Sequence, residues 1–179
     1  WKTLGVVTTA RAKRMSDSQF ISELMLVILE GKVLGFDQDS LDELYGRYDD
    51  PSDTVPELNL DEYIQNFSTT KNYILQMNAV NGVVSRYAKG SGHFYALWAF
   101  VALTGNLPPV SIVVTRYKSF MEKVEQLAKQ EDLDAILGEE AKGEYRVPLL
   151  YLTNSRGAST DLSPRIKRFE ALQTALLSE

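Results

Sequence analysis

The sequence predicts an all-α protein, a single helical bundle of about six to eight helices across residues 1–179. Apolar side chains recur at intervals of three and four through most of the chain, which is the period of an amphipathic helix. Ser-led capping boxes open at Ser16 and Ser40, just before apolar runs. No segment shows convincing two-residue alternation of apolar and polar residues, so nothing indicates a half-buried strand.

The first two predicted helices follow from these capping signals. A capping box at Ser16 and a wide apolar face predict a helix over about 17–30, which Gly31 closes in a left-handed cap. The shorter second helix opens at Ser40. It ends before 49–53, where a proline breaks the helical hydrogen-bond ladder.

The middle of the chain holds the longest apolar segments. A third helix is predicted from about Leu60 to Asn81, with acidic residues in its first turn, and 83–87 adds a further helical turn. His93–Thr104 is apolar nearly all round, so this helix is expected at the centre of the domain. Its apolar stretch is about half of the roughly 20 residues that a membrane-spanning helix needs.

The last third of the chain is predicted to contain two long helices. Ser163 and Pro164 are a favourable cap and first residue for the second of them, whose apolar face includes Leu172 and Leu176. The segments predicted in order are a helix over 111–129, a short turn over 133–137, a loop over 139–143, a helix over 144–152 with Pro148 near its first turn, and a polar loop over 153–163.

The composition excludes several kinds of chemistry. The chain has no cysteine, so it has neither a disulfide framework nor a thiolate zinc site. Its single histidine, His93, follows a glycine-containing loop that lacks the Walker phosphate-binding pattern. We predict that His93 bonds a loop carbonyl at a helix start. The sequence offers His93 no Ser–His–Asp order, and the acidic residues lack calcium-loop spacing. We therefore assign no catalytic residue, metal or cofactor.

Charge is distributed unevenly along the chain. The net charge is -5, which argues against a broadly basic nucleic-acid-binding surface. Residues 1–14 carry four cations and no acid, whereas residues 16–67 carry thirteen acids against Lys32 and Arg47. Residues 144–169 are again basic. The two basic ends either pack near the acidic segment, or simply face solvent, or together contact a polyanion.

Two basic segments are the candidate phosphate-binding sites. One lies just before the first helix, where backbone N–H groups also attract an anion. The other is a hydroxyl-rich loop with the start of the last helix. The alternatives are that these cations pair with nearby acids and that the loop bonds to itself. The candidate residues are Arg11, Lys13, Arg14, Arg156, Arg165, Lys167 and Arg168.

Four segments carry a resemblance to a bacterial family. They are 11–17 (RAKRMSD), 20–24 with 45–48 (FISEL and YGRY), and 151–161 (YLTNSRGASTD). With these segments the chain resembles the GmrSD-like proteins, which have a ParB/sulfiredoxin-like N-terminal domain. The resemblance implies defence against phage or modified foreign DNA, as in restriction-like systems, and a cytoplasmic location.

The resemblance assigns no catalytic residue here. The family's nucleotide-handling motif lies in the N-terminal domain and is absent from this sequence, and the HNH-type nuclease of some members needs several histidines. We therefore expect a helical fragment that lacks its N-terminal catalytic domain. That domain, and DNA, are the expected partners, and no membrane is expected.

Three functions follow as hypotheses. The first is a non-catalytic accessory domain of a defence protein that supports the missing domain and contacts DNA phosphates. The second is a self-contained enzyme that acts on a nucleotide through the Gly90–His93 loop and the Arg156–Arg168 region. The third is a protein-interaction module whose acidic face between Asp37 and Glu62 meets a basic partner.

Overall fold

The computed structural model describes Leu4 and residues 16–35, 38–129 and 139–178. Within these ranges the structure is helical with no strand, so the predicted all-α bundle is confirmed. Seven described helices have twelve or more residues, and two have only about one turn. In order they are α1 (Ser16–Glu30), α2 (Gln38–Asp49), α3 (Pro51–Thr54), α4 (Leu60–Asn81), α5 (Val83–Tyr87), α6 (Ser91–Leu103), α7 (Val110–Ala128), α8 (Glu139–Thr153) and α9 (Leu162–Leu177).

Helix α6 lies at the centre of the bundle, as its apolar sequence predicts. Every residue from Phe94 to Val101 is buried. Helix α6 packs against helices α1, α4 and α9. Helix α7 packs against α4, α8 and α9. The Trp98 indole donates to the carbonyl of Leu24 at 2.8 Å, so the one polar atom of this large side chain is satisfied within the core.

The ends of α1 and α4 form as their sequences predict. Gly31 and Gly82 have positive φ values of 62° and 69°, conformations that glycine adopts without steric cost. At the start of α4 the Asn59 side chain accepts a hydrogen bond from the backbone N–H of Glu62 at 3.1 Å. These local signals are strong enough to fix both ends of α4.

The starts of α2, α6, α8 and α9 differ from the prediction. Helix α6 begins at Ser91 rather than at His93. Helix α2 begins at Gln38, before Ser40. Helix α8 includes 139–143, which was predicted as a loop, so Pro148 lies inside the helix rather than near its start. Gly143 lies in open space, so it does not prevent the helix from starting before it. Helix α9 begins at Leu162, two residues before the predicted first residue Pro164, with Asp161 rather than Ser163 at its N-cap position. The predicted turn over 133–137 lies outside the described residues.

Candidate functional site

Two of the sequence-predicted phosphate-binding residues are buried inside the bundle. Arg165 is 4% exposed. Its guanidinium bonds the Glu23 carboxylate at 2.5 Å and the Leu34 carbonyl at 3.0 Å, and it lies 3.9 Å from the centre of the Tyr95 ring. Burial raises the pKa of Glu23 although Arg165 acts in the opposite direction. Arg165 therefore ties α9 to α1 and to the segment after α1.

Arg168 is buried still more completely, at 1% exposed. Its guanidinium donates to the carbonyl of Ser159 at 2.5 Å and to that of Pro164 at 3.4 Å. Gly92 makes room for it, because a Cβ at that position would lie 2.5 Å from a guanidinium nitrogen. Arg168 thus closes the polar loop before α9 against the start of α6.

Two of the predicted phosphate-binding cations are therefore withdrawn from the surface. Arg165 and Arg168 lie one turn apart on the core-facing side of α9, with Ala171 and Leu172, so neither is placed for a DNA phosphate. Arg156 and Lys167 are exposed. The remaining candidates, Arg11, Lys13 and Arg14, lie outside the described residues.

His93 bonds a side chain rather than the predicted loop carbonyl. Its Nδ1 lies 2.9 Å from the Tyr151 hydroxyl, and the two rings stack with centres 5.6 Å apart. Burial lowers the pKa of His93, and the charge of Arg168 lowers it further. Residues 91–93, predicted as part of a loop, form the first turn of α6, and Gly92 lies against Arg168.

A large open concavity lies where α1 ends and α4 begins. Its volume is about 400 Å³, and α2 and the α3–α4 connection form its remaining walls. Three carboxylates and one guanidinium are among its lining residues. We call it the acidic groove, and it is lined by Ile28, Leu29, Glu30, Arg47, Tyr48, Val55, Glu57, Leu58, Asn59, Glu62, Tyr63 and Asn66.

Glu30 is the least exposed carboxylate of the acidic groove, with a side chain only 10% exposed. Arg47 and Tyr48 both reach its Oε1, at 3.3 and 2.9 Å, and Lys32 lies 3.4 Å from Oε2. The pKa of Tyr48 is raised, chiefly by burial and then by its bond to Glu30. These three donors fix the Glu30 carboxylate in place.

Tyr63 supplies a second aromatic wall. Its hydroxyl oxygen is buried and has no hydrogen-bond partner among the described residues. Burial raises the pKa of this tyrosine. The groove therefore combines carboxylates, amides and two tyrosines, a set that suits a cationic ligand with an apolar stem.

The surface around the acidic groove is strongly negative. Between Asp39 and Glu62 the only cation is Arg47, which Glu30 already holds. No three acidic or imidazole side chains in the described ranges come together as a metal-binding group, so the acids are spread along a surface. The exposed carboxylates of this surface are Asp39, Asp42, Glu43, Asp49, Asp50, Asp53, Glu57, Asp61 and Glu62.

A second groove, of about 470 Å³, lies between α7, α8 and α9. Lys123 and Glu144 form an ion pair across it at 2.5 Å, and Arg116 donates to the carbonyl of Leu176 at 2.8 Å. Its charged groups are thus bonded to groups of the bundle itself, which makes it a weaker candidate than the acidic groove.

Sequence reasoning located the acidic face but missed the groove within it. The sequence shows the excess of acids over 16–67. It does not show that Glu30, Tyr48 and Tyr63 line one groove. Glu30 and Tyr63 lie on different helices, so only the packing of α1 against α4 brings them to one concavity.

A scan against family models and searches of curated proteins and of solved structures give no significant match to this chain. No helix in the described part of the chain is both long enough and apolar enough to cross a membrane.

Proposed function

We propose that the chain is a protein-interaction module, and that the acidic groove binds a basic segment of a partner protein. The observation that carries this proposal is a concavity of about 400 Å³ with three carboxylates and one cation in its lining. A concave site with fixed charges focuses the local potential and favours a ligand of opposite charge.

A peptide segment fits better than a single small cation. The acids continue beyond the groove along α2 and α3, so a ligand with several spaced positive charges gains contacts along the whole face. The tyrosines in the groove offer apolar surface to the stems of lysine or arginine side chains.

The resemblance to GmrSD-like proteins supplies a setting for this module. In that setting the chain is a non-catalytic accessory domain, and the basic segment belongs to the catalytic domain that it supports. A contact to DNA phosphates would rest on the exposed Arg156 and Lys167, because Arg165 and Arg168 are bonded inside the bundle. The nucleotide-acting alternative gains no support from residues 90–93, because His93 is bonded to Tyr151 and Gly92 lies against Arg168.

The test is a titration of the protein with a labelled Gly/Ser peptide that carries spaced arginines and lysines, followed by fluorescence anisotropy at low salt. Glu57→Gln combined with Glu62→Gln should weaken binding. We expect a loss of about 1 kcal/mol for the pair, roughly fivefold in Kd, since exposed charge pairs are worth at most about that.

A matched double variant separates the groove from overall charge. Glu125→Gln with Glu170→Gln removes the same number of exposed carboxylates from α7 and α9 and should leave Kd nearly unchanged. Equal weakening by both double variants would contradict a groove-specific site. Absence of peptide binding at low salt, or preferential binding of duplex DNA that Arg156→Ala abolishes, would overturn the proposal.

A further inference from the structure

We infer that the acidic groove recognises an arginine side chain, and that Arg47 is the chain's own occupant of that guanidinium site, which a ligand must displace. This inference rests on the proposed function of the groove. It names the chemical group that is recognised and an internal competitor that limits affinity.

The position of Arg47 is the direct evidence. One guanidinium nitrogen of Arg47 lies 3.3 Å from Oε1 of Glu30, and the guanidinium carbon lies 5.8 Å from the centre of the Tyr48 ring. A carboxylate beside an aromatic ring is a good site for a planar cation. The groove therefore already holds the group that we expect it to recognise.

Arg47 fills this site only loosely. It makes a single hydrogen bond to Glu30, and its side chain is 50% exposed while that of Glu30 is 10% exposed. A bidentate pair would use both oxygens of the Glu30 carboxylate. Here the second oxygen, Oε2, is paired with Lys32, whose side chain is 64% exposed. A well-placed ligand guanidinium can thus gain more from Glu30 than Arg47 does.

The backbone of Arg47 is held in place while its side chain can leave. The Thr54 hydroxyl donates to the carbonyl of Arg47 and, at 2.8 Å, to that of Asp50, which ties α3 to the end of α2. Side-chain release then requires only rotamer changes, with no rearrangement of the helices. Once displaced, the Arg47 guanidinium would lie in solvent near Asp49 and Asp50, which follow it closely in sequence.

Arginine is favoured over lysine for a chemical reason. A guanidinium is planar, stacks on tyrosine and can bond two carboxylate oxygens, whereas an ammonium is a more strongly hydrated point charge. Tyr48 and Tyr63 provide two rings in the groove, and Glu30 provides a carboxylate that Tyr48 keeps oriented. The groove should therefore discriminate between two peptides of equal charge.

The experiment uses the full chain and three short Gly/Ser peptides that differ only in carrying spaced arginines, lysines or neutral citrullines. The arginine peptide should bind severalfold tighter than the lysine peptide, and the citrulline peptide should show no measurable binding. Arg47→Ala should tighten binding of the arginine peptide by up to about fivefold, the factor that corresponds to ~1 kcal/mol for an exposed ion pair.

A double-mutant cycle separates competition at Glu30 from the general effect of removing a positive charge. In a Glu30→Gln background, Arg47→Ala should give no tightening, because the shared carboxylate is gone. Tightening of equal size in both backgrounds would overturn the inference and leave the proposed function intact. An unchanged Kd of Arg47→Ala for the arginine peptide would also overturn the inference and leave the proposed function intact. Equal affinity of the wild-type chain for the arginine and lysine peptides would have the same consequence.

Failure of the wild-type chain to bind either basic peptide would remove the proposed function and this inference together. Circular dichroism of each variant checks that the helices persist. If Glu30→Gln does not fold, the comparison of the arginine and lysine peptides on the wild-type chain still decides whether a guanidinium is preferred.

Discussion

Replacement of Tyr117 by phenylalanine should make the protein more stable. Tyr117 lies on α7 at 0% exposure, and its hydroxyl has no hydrogen-bond partner among the described residues. Burial raises the pKa of this hydroxyl well above its usual range, with Tyr151 and Tyr87 as smaller causes. The hydroxyl lost its bonds to water on folding and gained none from the described residues in their place.

The size of the effect follows from the burial of one polar group. An unpaired buried hydroxyl costs about 1–3 kcal/mol in protein mutational data. The phenylalanine ring keeps the packing of Tyr117, including the edge-to-face contact with Tyr87 at 6.4 Å between ring centres. We expect Tyr117→Phe to raise the free energy of unfolding by about 1 kcal/mol, or roughly 2–4 °C in Tm for a chain of this size.

Urea denaturation followed by circular dichroism measures this change, and Tyr151→Phe is the matched control. The Tyr151 residue is equally buried, but its hydroxyl lies 2.9 Å from Nδ1 of His93. Its removal leaves the His93 nitrogen without that partner and should lower the free energy of unfolding by about 1–2 kcal/mol. A loss of stability in Tyr117→Phe comparable with that in Tyr151→Phe would refute the reasoning, because it would mean that the Tyr117 hydroxyl contributes a hydrogen bond.

Two further predictions concern the buried ion pair between Glu23 of α1 and Arg165 of α9, and His93 of α6. Glu23→Ala removes the carboxylate of a buried ion pair and should lower the free energy of unfolding by about 3–5 kcal/mol, measured by urea titration, whereas the exposed Glu170→Ala should change it little. The pKa of His93 is lowered from 6.5, so the unfolded chain binds its proton first, and the stability due to neutral His93 falls as pH drops below about 6.5. This loss of stability, at most about 1.4 kcal/mol per pH unit, should disappear in His93→Gln. The raised pKa of Glu23 has the opposite effect, because it stabilises the folded state as the pH falls. Persistence of the loss near pH 6 in His93→Gln would therefore contradict the assignment.

Local sequence signals predicted most of the fold because most helix boundaries here are set locally. Helix α4 has a capping asparagine at one end and Gly82 in the left-handed conformation at the other, and its observed bounds match the prediction. Helix α6 is apolar on every side, which leaves no position for it except the centre. The start of α8 was missed because Gly143 and Pro148 are helix-breaking signals that tertiary packing can override.

The buried arginines were missed because their partners are distant in sequence. Arg165 meets Glu23 across 142 residues, and no local pattern reveals such a pairing. One signal was available: Arg168 lies four residues before Leu172, on the face that was predicted to be buried, and eight before Leu176. A charged residue in register with a core stripe indicates a buried, bonded cation as readily as a surface one.

The burial of these cations changes how the charge of the molecule should be understood. Arg165 and Glu23 cancel each other inside the bundle, and Arg168 is bonded to backbone carbonyls, so two arginines are withdrawn from the surface. The carboxylates between Asp39 and Glu62 are exposed, with Arg47 as the one cation in that stretch. Salt screens exposed charges only beyond about 8 Å at physiological ionic strength, so it compensates this face only in part. A ligand that brings its cations into direct contact with the groove gains what screening cannot supply, which is the physical reason to expect a basic partner there.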